Sequence, residues 1–341
     1  SKIMSFKVVC YGVRPNEVEF FHKYNKYNYD LKLVEGLTTH ENITECEGAD
    51  AVLLRGNCVA DRQNLEKLKG YGIKYVFTRT VGFNHIDLQA AADLGLIVAR
   101  VPGYSPNAIA ELSLTLGMML LRHTAAATSA TASGDFVVSP TYFSKEIRNC
   151  TVGIIGTGRI GFTEAKMYKG LGAKVIGYDV YENDACREVL DYVTLDELLA
   201  QSDIVSLHVP YFPGKNDKMA NAEFFSKMKD GSIFLNTARG ELQDNEAILA
   251  ALKSGKLDGY GTDVFANETA FFFKKLASAA EISDPTVREL VQMYPKVLVT
   301  PHIGSNTDEA LANMIEYSMD NFNEILTTGT TKNLVALPEA K

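Results

Sequence analysis

The sequence lacks the features that mark several kinds of protein. Its five cysteines, Cys10, Cys46, Cys58, Cys150 and Cys186, are odd in number, widely scattered and show no C-x-x-C pair. This argues against a disulfide framework or a zinc site, so no metal is expected and a reducing compartment is. No apolar run is long enough to span a bilayer. The opening stretch SKIMSFKVVC is too short and too quickly interrupted to read as a signal peptide. There is no long basic run and the net charge is −8, which speaks against a surface that tracks nucleic-acid phosphates. No short-period repeat is visible. These absences leave the expectation of a cytoplasmic protein with neither a membrane nor a nucleic-acid partner.

What is present is a chain of 341 residues, 46% apolar and 22% charged, long enough for two cores. Short β-branched runs punctuate it: FKVVCYGV, AVLLRGN, KYVFTRT, LIVARVP, TVGIIG, KVIGYDV, DIVSLHVP, SIFLNTA, LDGYGTDVF and VLVTPHI. Amphipathic or charged segments of helical length separate most of them. Strands alternating with helices predict an α/β protein with parallel sheets covered on both faces. The alternation occurs twice, on either side of a long helix candidate, SPNAIAELSLTLGMMLLRH. That helix has Ser105 placed to cap it and Pro106 at its first position. It is apolar on nearly every face, which predicts burial between domains or subunits and makes a dimer the expected state.

The most informative segment is TVGIIGTGRIGFTEAKMYKGLGAKVIGYD. An apolar strand leads into Gly156-x-Gly158-x-x-Gly161, a helix follows, and a second strand ends at Asp179, 18 residues beyond Gly161. Gly156 permits the tight turn, Gly158 lets backbone approach a pyrophosphate, and Gly161 lets helix and strand pack closely. The helix start offers N–H groups and partial positive charge to the diphosphate. An acid at Asp179 can accept from the adenosine ribose hydroxyls and repels a 2′-phosphate, favouring NAD over NADP.

Downstream, three chemically capable residues follow short apolar runs: Arg239 in LNTARGELQ, Glu268 in TDVFANE and His302 in TPHIGS. Taken singly, each has an ordinary reading as a capping charge, a solvated acid or a packed imidazole. Together they could form a hydride-transfer site. Arg239 could pair bidentately with a carboxylate and polarise a carbonyl. His302 could exchange a hydroxyl proton near neutral pH. Glu268 beside it would favour the imidazolium that ketone reduction needs.

The order YSPNAIAELSLTLGMMLLR, VGIIGTGRIG, DIVSLHVP, LNTARGELQDNEAI, GYGTDVFANE and VLVTPHIGSNTDEA resembles the D-specific 2-hydroxyacid dehydrogenase family over essentially the whole chain. The resemblance implies a Rossmann-type NAD domain at 104–302 and a flavodoxin-like substrate domain at 1–103 and 303–341, with the substrate in the cleft between them. It gives Arg239, Glu268 and His302 the roles of substrate anchor, base tuner and proton carrier. It implies that backbone N–H groups around Val81 and Gly82 grip the substrate carboxylate and that Tyr104 lies on the substrate side. On the cofactor side it adds Arg159 and Ile160 in the pyrophosphate turn, Val209, Pro210, Thr237 and Ala238. It also adds Asp263, the acid that would meet the nicotinamide carboxamide.

The implied reaction is reversible NADH-dependent reduction of a 2-oxo acid to the D-2-hydroxy acid. Arg55, in VLLRGNCVADRQNL, is similar to an arginine of the (R)-2-hydroxyglutarate dehydrogenase branch and would anchor a second carboxylate. D-Lactate dehydrogenases share most of the remaining pattern, so pyruvate and 2-oxoglutarate both stay open. Two other readings stand beside this one: an NAD-responsive corepressor, since a dinucleotide site does not prove turnover, and phosphoglycerate oxidation. His208 is open between packing and a cofactor-side role, while His85 and His123 read as structural. Phe271–Phe273 reads as a hydrophobic loop over the cleft or at a subunit contact.

Overall fold

The computed structural model describes residues 5–341; the first four residues of the SKIMSFKVVC stretch lie outside it. The chain divides into two compact units, one formed by Ser1–Ser105 with Asn306–Lys341, the other by Pro106–Ser305.

The first unit holds strands β1 (Lys7–Cys10), β2 (Asp30–Leu33), β3 (Ala51–Leu54), β4 (Tyr75–Thr78) and β5 (Ile97–Ala99), all parallel, in the order β2-β1-β3-β4-β5. This is the flavodoxin order. The two-residue period of a strand explains why the runs are apolar throughout. Val9, Val52, Leu54, Val76 and Val98 face a layer containing Leu65, Leu68 and Ala90. Their neighbours Val8, Cys10, Ala51, Leu53, Phe77 and Ala99 face Phe21, Ile315, Met319 and Phe322 on the other side. The last three belong to the helix Asp308–Thr328, and Phe322 stacks on Phe77 with ring centroids 4.6 Å apart.

The second unit holds β6 (Thr151–Ile155), β7 (Lys174–Tyr178), β8 (Asp191–Tyr192), β9 (Ile204–Leu207), β10 (Ser232–Asn236), β11 (Leu257–Thr262) and β12 (Val297–Val299). Their order is β12-β11-β10-β9-β6-β7-β8, again wholly parallel. Counted within the unit, the sheet reads 7-6-5-4-1-2-3, the Rossmann order with one further strand. The order reverses at β6, so the strand that precedes Gly156 sits at the topological switch point, where such sheets bind their ligands.

The long apolar helix is Pro106–Leu121 and packs on this sheet. Two glycines of β11 make room for it: a Cβ on Gly259 would lie 3.0 Å from Leu120, and one on Gly261 would lie 3.2 Å from Leu116. Among the described residues, no helix is long and apolar enough to cross a membrane, and no cluster of His, Cys, Asp and Glu could hold a metal ion. All five cysteines are buried and unpaired.

Candidate active site

Gly156 begins the turn after β6 with φ +93°, a conformation that side chains oppose. A Cβ there would also meet the His208 carbonyl carbon at 2.6 Å and the Val209 nitrogen at 2.8 Å, so the segment holding Val209 and Pro210 lies directly against the turn. Gly161 is tighter still, because a Cβ would come within 1.9 Å of the Gly156 carbonyl oxygen. Gly158 caps the helix Arg159–Gly170 without a side chain, and a Cβ there would meet nothing within 4 Å. The approach to Gly158 is therefore open, and Arg159 and Ile160 form the first turn of that helix. Asp179 closes the turn from β7: its Oδ2 accepts the Thr157 N–H at 2.8 Å. This arrangement fits a dinucleotide, with a bare helix start for the diphosphate and a carboxylate at the neighbouring strand end for a ribose.

His208 is a packing residue. Its side chain is 1% exposed, and its Nε2 lies 3.0 Å from both Glu164 Oε1 and Ser206 Oγ. Ser206 continues to Ser113 of the long helix at 2.9 Å. This polar chain ties the strand end beside the glycine turn to two covering helices.

On the other half of the sheet, β10, β11 and β12 deliver the three chemical candidates. Arg239 follows β10, and its loop is anchored by buried amides. Asn236 Nδ2 donates to the Arg239 carbonyl at 3.0 Å and to Gln243 Oε1 at 3.0 Å, and Gln243 Nε2 donates to Tyr260 OH at 2.7 Å. Thr237 and Ala238 lie in the same loop, and the buried Thr237 hydroxyl has no hydrogen-bond partner among the described residues. Gly240 lets this loop press against the one after β11: a Cβ on it would sit 2.1 Å from the Ala266 nitrogen and the Phe265 carbonyl carbon. Glu268 follows, its Oε1 accepting from the Phe265 N–H at 3.3 Å.

His302 sits three residues beyond β12 with φ +54°, in the sparsely populated left-handed region. Asp263 holds the turn in place. Its carbonyl accepts the His302 N–H at 3.1 Å, while its carboxylate accepts from Thr300 Oγ1 at 2.7 Å, Ile303 N–H at 2.7 Å and Gly304 N–H at 2.9 Å. Burial pushes the Asp263 carboxyl above its ordinary range, and those hydrogen bonds pull the other way.

The arrangement joins His302 to Glu268, with Nδ1 2.5 Å from Oε2. Glu268 is 16% exposed, whereas His302 is 46% exposed, so the imidazole presents its other nitrogen outward. Burial would lower the His302 pKa, but the bond to Glu268 and the charges of Glu268 and Asp263 outweigh it and leave the pKa raised. Arg239 is close enough to act against them. A carboxylate-supported imidazole beside a guanidinium can donate a proton to a carbonyl oxygen and hold a carboxylate near it.

In the first unit, Val81 is 39% exposed and follows β4 with Gly82. The Tyr104 carbonyl accepts from Asn313 Nδ2 at 2.8 Å. Arg55 is half-buried and donates to the Gly12 carbonyl at 3.0 Å. Burial, followed by the like charges of Arg14 and Arg79, pushes its pKa down to about 10. Phe272 is 5% exposed, with its ring edge-on to those of Phe265 and Phe271, and only Phe273 turns outward, at 47%.

Several supporting residues were not singled out in the sequence: Gly240, Asn236, Gln243 and Thr300. The only local signal was glycine beside arginine in TARGE, since close approach of two loops leaves no other trace.

The family described as "D-isomer specific 2-hydroxyacid dehydrogenase, NAD binding domain" matches residues 114–304. The chain is 42% identical over 326 residues to a D-lactate dehydrogenase of Lactiplantibacillus plantarum, covering 95% of this chain and 97% of that one. It is 38% identical over 329 residues to an aromatic 2-oxoacid reductase of Clostridium sporogenes, covering 96% and 98%. A solved D-isomer specific 2-hydroxyacid dehydrogenase from Lactobacillus delbrueckii ssp. bulgaricus, in its NAD-complexed form, superposes with a TM-score of 0.83 at 34% identity, covering 97% of this chain and 100% of that one. The chain belongs to the D-isomer specific 2-hydroxyacid dehydrogenase family. It is an NAD-dependent oxidoreductase acting on the CH–OH group of D-2-hydroxy acids.

Proposed function

We propose that the enzyme reduces pyruvate or 2-oxoglutarate to the corresponding D-2-hydroxy acid, with Arg239, Glu268 and His302 as its catalytic residues. The observation that carries this reading is the 2.5 Å bond between His302 Nδ1 and Glu268 Oε2, which leaves Nε2 to face substrate. NADH, when bound, supplies the hydride. The chain's own work is to hold the substrate and move the proton. Arg239 polarises the 2-oxo carbonyl and pairs with the carboxylate. His302, protonated at Nε2, gives its proton to the carbonyl oxygen as charge develops there, and Glu268 stabilises the imidazolium beforehand. In the oxidative direction the neutral imidazole takes the hydroxyl proton. The Val81 and Gly82 N–H groups grip the substrate carboxylate, and Tyr104 lines the substrate side.

NAD is held by the Gly156–Gly161 turn with Arg159 and Ile160, by Asp179 at the ribose, and by Val209, Pro210, Thr237 and Ala238. Asp263 keeps lone-pair capacity on Oδ2 for the carboxamide. Arg55 answers a second carboxylate. It stands with Arg14 and Arg79 around a single acid, Glu17, so that cationic charge is in excess there.

The enzyme works as a cytoplasmic homodimer. In support, Phe136, Val137, Val138 and Phe143 are 72–77% exposed, more apolar surface than one short segment of a monomer would leave in water. Light scattering tests this, and a single-chain mass would refute it. The substrate reading is tested by NADH oxidation with pyruvate, 2-oxoglutarate, 2-oxoisocaproate and phenylpyruvate in parallel. Turnover of one of the first two well above the others is expected; preference for phenylpyruvate would overturn it.

A further inference from the structure

A chain of side-chain hydrogen bonds runs beneath the loop that carries Val81 and Gly82. His85 Nε2 lies 3.1 Å from Thr78 Oγ1, Thr78 Oγ1 lies 2.7 Å from Thr80 Oγ1, and Thr80 Oγ1 donates to the Gly82 carbonyl at 2.6 Å. The directions of these bonds follow from what each group can do. A carbonyl only accepts, so the Thr80 proton is committed to Gly82 and Thr80 must accept from Thr78. Thr78 has a second acceptor in reach, the Leu54 carbonyl, but at a longer 3.2 Å, and that carbonyl already takes the Arg79 N–H at 2.9 Å. With the Thr78 proton spent on Thr80, its oxygen accepts from His85, which fixes the imidazole proton on Nε2. Every donor then points the same way, from the imidazole to the Gly82 carbonyl.

We propose that His85 and Thr80 are positioning residues that set affinity for the 2-oxo acid by fixing the peptide units of Val81 and Gly82. The proposal rests on the reading that these N–H groups grip the substrate carboxylate. Two ties bracket the loop: the Thr80 carbonyl accepts the Val101 N–H at 3.1 Å, and the Gly82 carbonyl is held by the relay. Between them the Val81 and Gly82 peptides have little freedom to rotate, so the cost of aligning their N–H groups is met before substrate arrives. Burial lowers the His85 pKa to about 4, so the ring stays neutral at working pH and keeps this single tautomer. Histidine suits the position because its ring spans the distance to Thr78 and offers a donor there without adding charge.

The test compares Thr80→Val, Thr80→Ser, His85→Leu and the Thr80→Val/His85→Leu double variant. KM for the preferred 2-oxo acid, kcat and the NADH dissociation constant are measured for each, with melting temperature as a control. Thr80→Val removes the hydroxyl at nearly constant shape and should raise KM about three- to tenfold, the range of one lost hydrogen bond. NADH affinity should not change, and kcat at saturation should stay within about twofold, because the loop's ordering is restored once substrate is bound. Thr80→Ser should restore wild-type KM. The double variant should be no worse than Thr80→Val alone, since both changes cut one relay. Unchanged KM in Thr80→Val, or effects that simply add, would overturn the proposal. If His85→Leu fails to fold, the Thr80 pair decides it. Gly82→Pro, which deletes an N–H directly, separates the two layers of the argument. A raised KM there with Thr80→Val at wild-type values keeps the carboxylate reading and discards the relay. Wild-type KM in both discards both.

Discussion

Glu268 and His302 lie 34 residues apart in the chain, yet a carboxylate oxygen of one stands 2.5 Å from an imidazole nitrogen of the other. The pair exists because two loops from neighbouring strands are each held by separate means. Gly240 gives the Glu268 loop room against the Arg239 loop, and Asp263 fastens the His302 turn.

The pair makes pH its first test. His302 has a raised pKa in the folded protein, so its protonated form, the one reduction uses, persists below that value and is lost as pH rises through it. In Glu268→Gln the carboxylate bond and its charge disappear, leaving Asp263 alone against burial and Arg239, so the pKa falls. The decline of reductive kcat/KM should move to lower pH, while the oxidative limb rises earlier. A reductive profile that coincides with wild type would separate Glu268 from the proton carrier. The linked stability contribution of His302 has the same sign: present in full below the ordinary histidine value, lost as pH climbs through the raised one.

Asp179 offers a cofactor test that leaves the turn intact. Asn at this position keeps an oxygen for the Thr157 N–H but removes the charge. Asp179→Asn should weaken NADH binding about tenfold or more, as loss of charge-assisted bonds to a ribose requires, and should improve use of NADPH relative to NADH. Titration of both cofactors by nicotinamide fluorescence measures this; an unchanged ratio would remove Asp179 from the ribose.

Gly161→Ala should be among the most damaging single-methyl additions in the chain. Its Cβ would lie 1.9 Å from the Gly156 carbonyl oxygen, which belongs to backbone and cannot swing aside. A loss of NADH affinity of about tenfold or more and a lower melting temperature are expected. A variant with native affinity and stability would show that the turn can open without cost.

Arg55→Ala should raise KM for 2-oxoglutarate at least about tenfold, as removal of a charged hydrogen bond does, while KM for pyruvate changes little. Arg55 also bonds the Gly12 carbonyl, so a general structural loss would raise both alike, and that result would sink the second-carboxylate reading.

Much of the fold was legible because the apolar runs of parallel strands are continuous, and among the described residues ten of the twelve strands coincide with such runs. The two that were not foreseen are edge strands. The β2 sequence DLKL alternates charge with leucine and is only partly buried, and β8 is two residues long with one of them exposed. The other two edge strands, β5 and β12, are apolar and largely buried, so it is the exposure of β2 and the brevity of β8, not edge position itself, that weakened their signal. The glycine turn and Asp179 were readable because their geometry is local. Asp263 as the anchor of the His302 turn was not, because its partners lie 37–41 residues away. Nor was Arg79: it is 1% exposed, lies in an apolar run and pairs at 2.9 Å with Glu17, 62 residues earlier. A buried ion pair between distant residues leaves no periodicity to detect.

The most direct test of the account is hydride transfer in His302→Gln, with NADH and the preferred 2-oxo acid both saturating, beside a separate measurement of NADH affinity. Glutamine keeps polarity and approximate size but cannot deliver a proton. With His302 as the proton carrier, kcat falls about 10²–10⁴-fold, the range for a lost general acid, with NADH affinity within about twofold of wild type. A kcat near wild type would contradict it, because the proton would then come from another group.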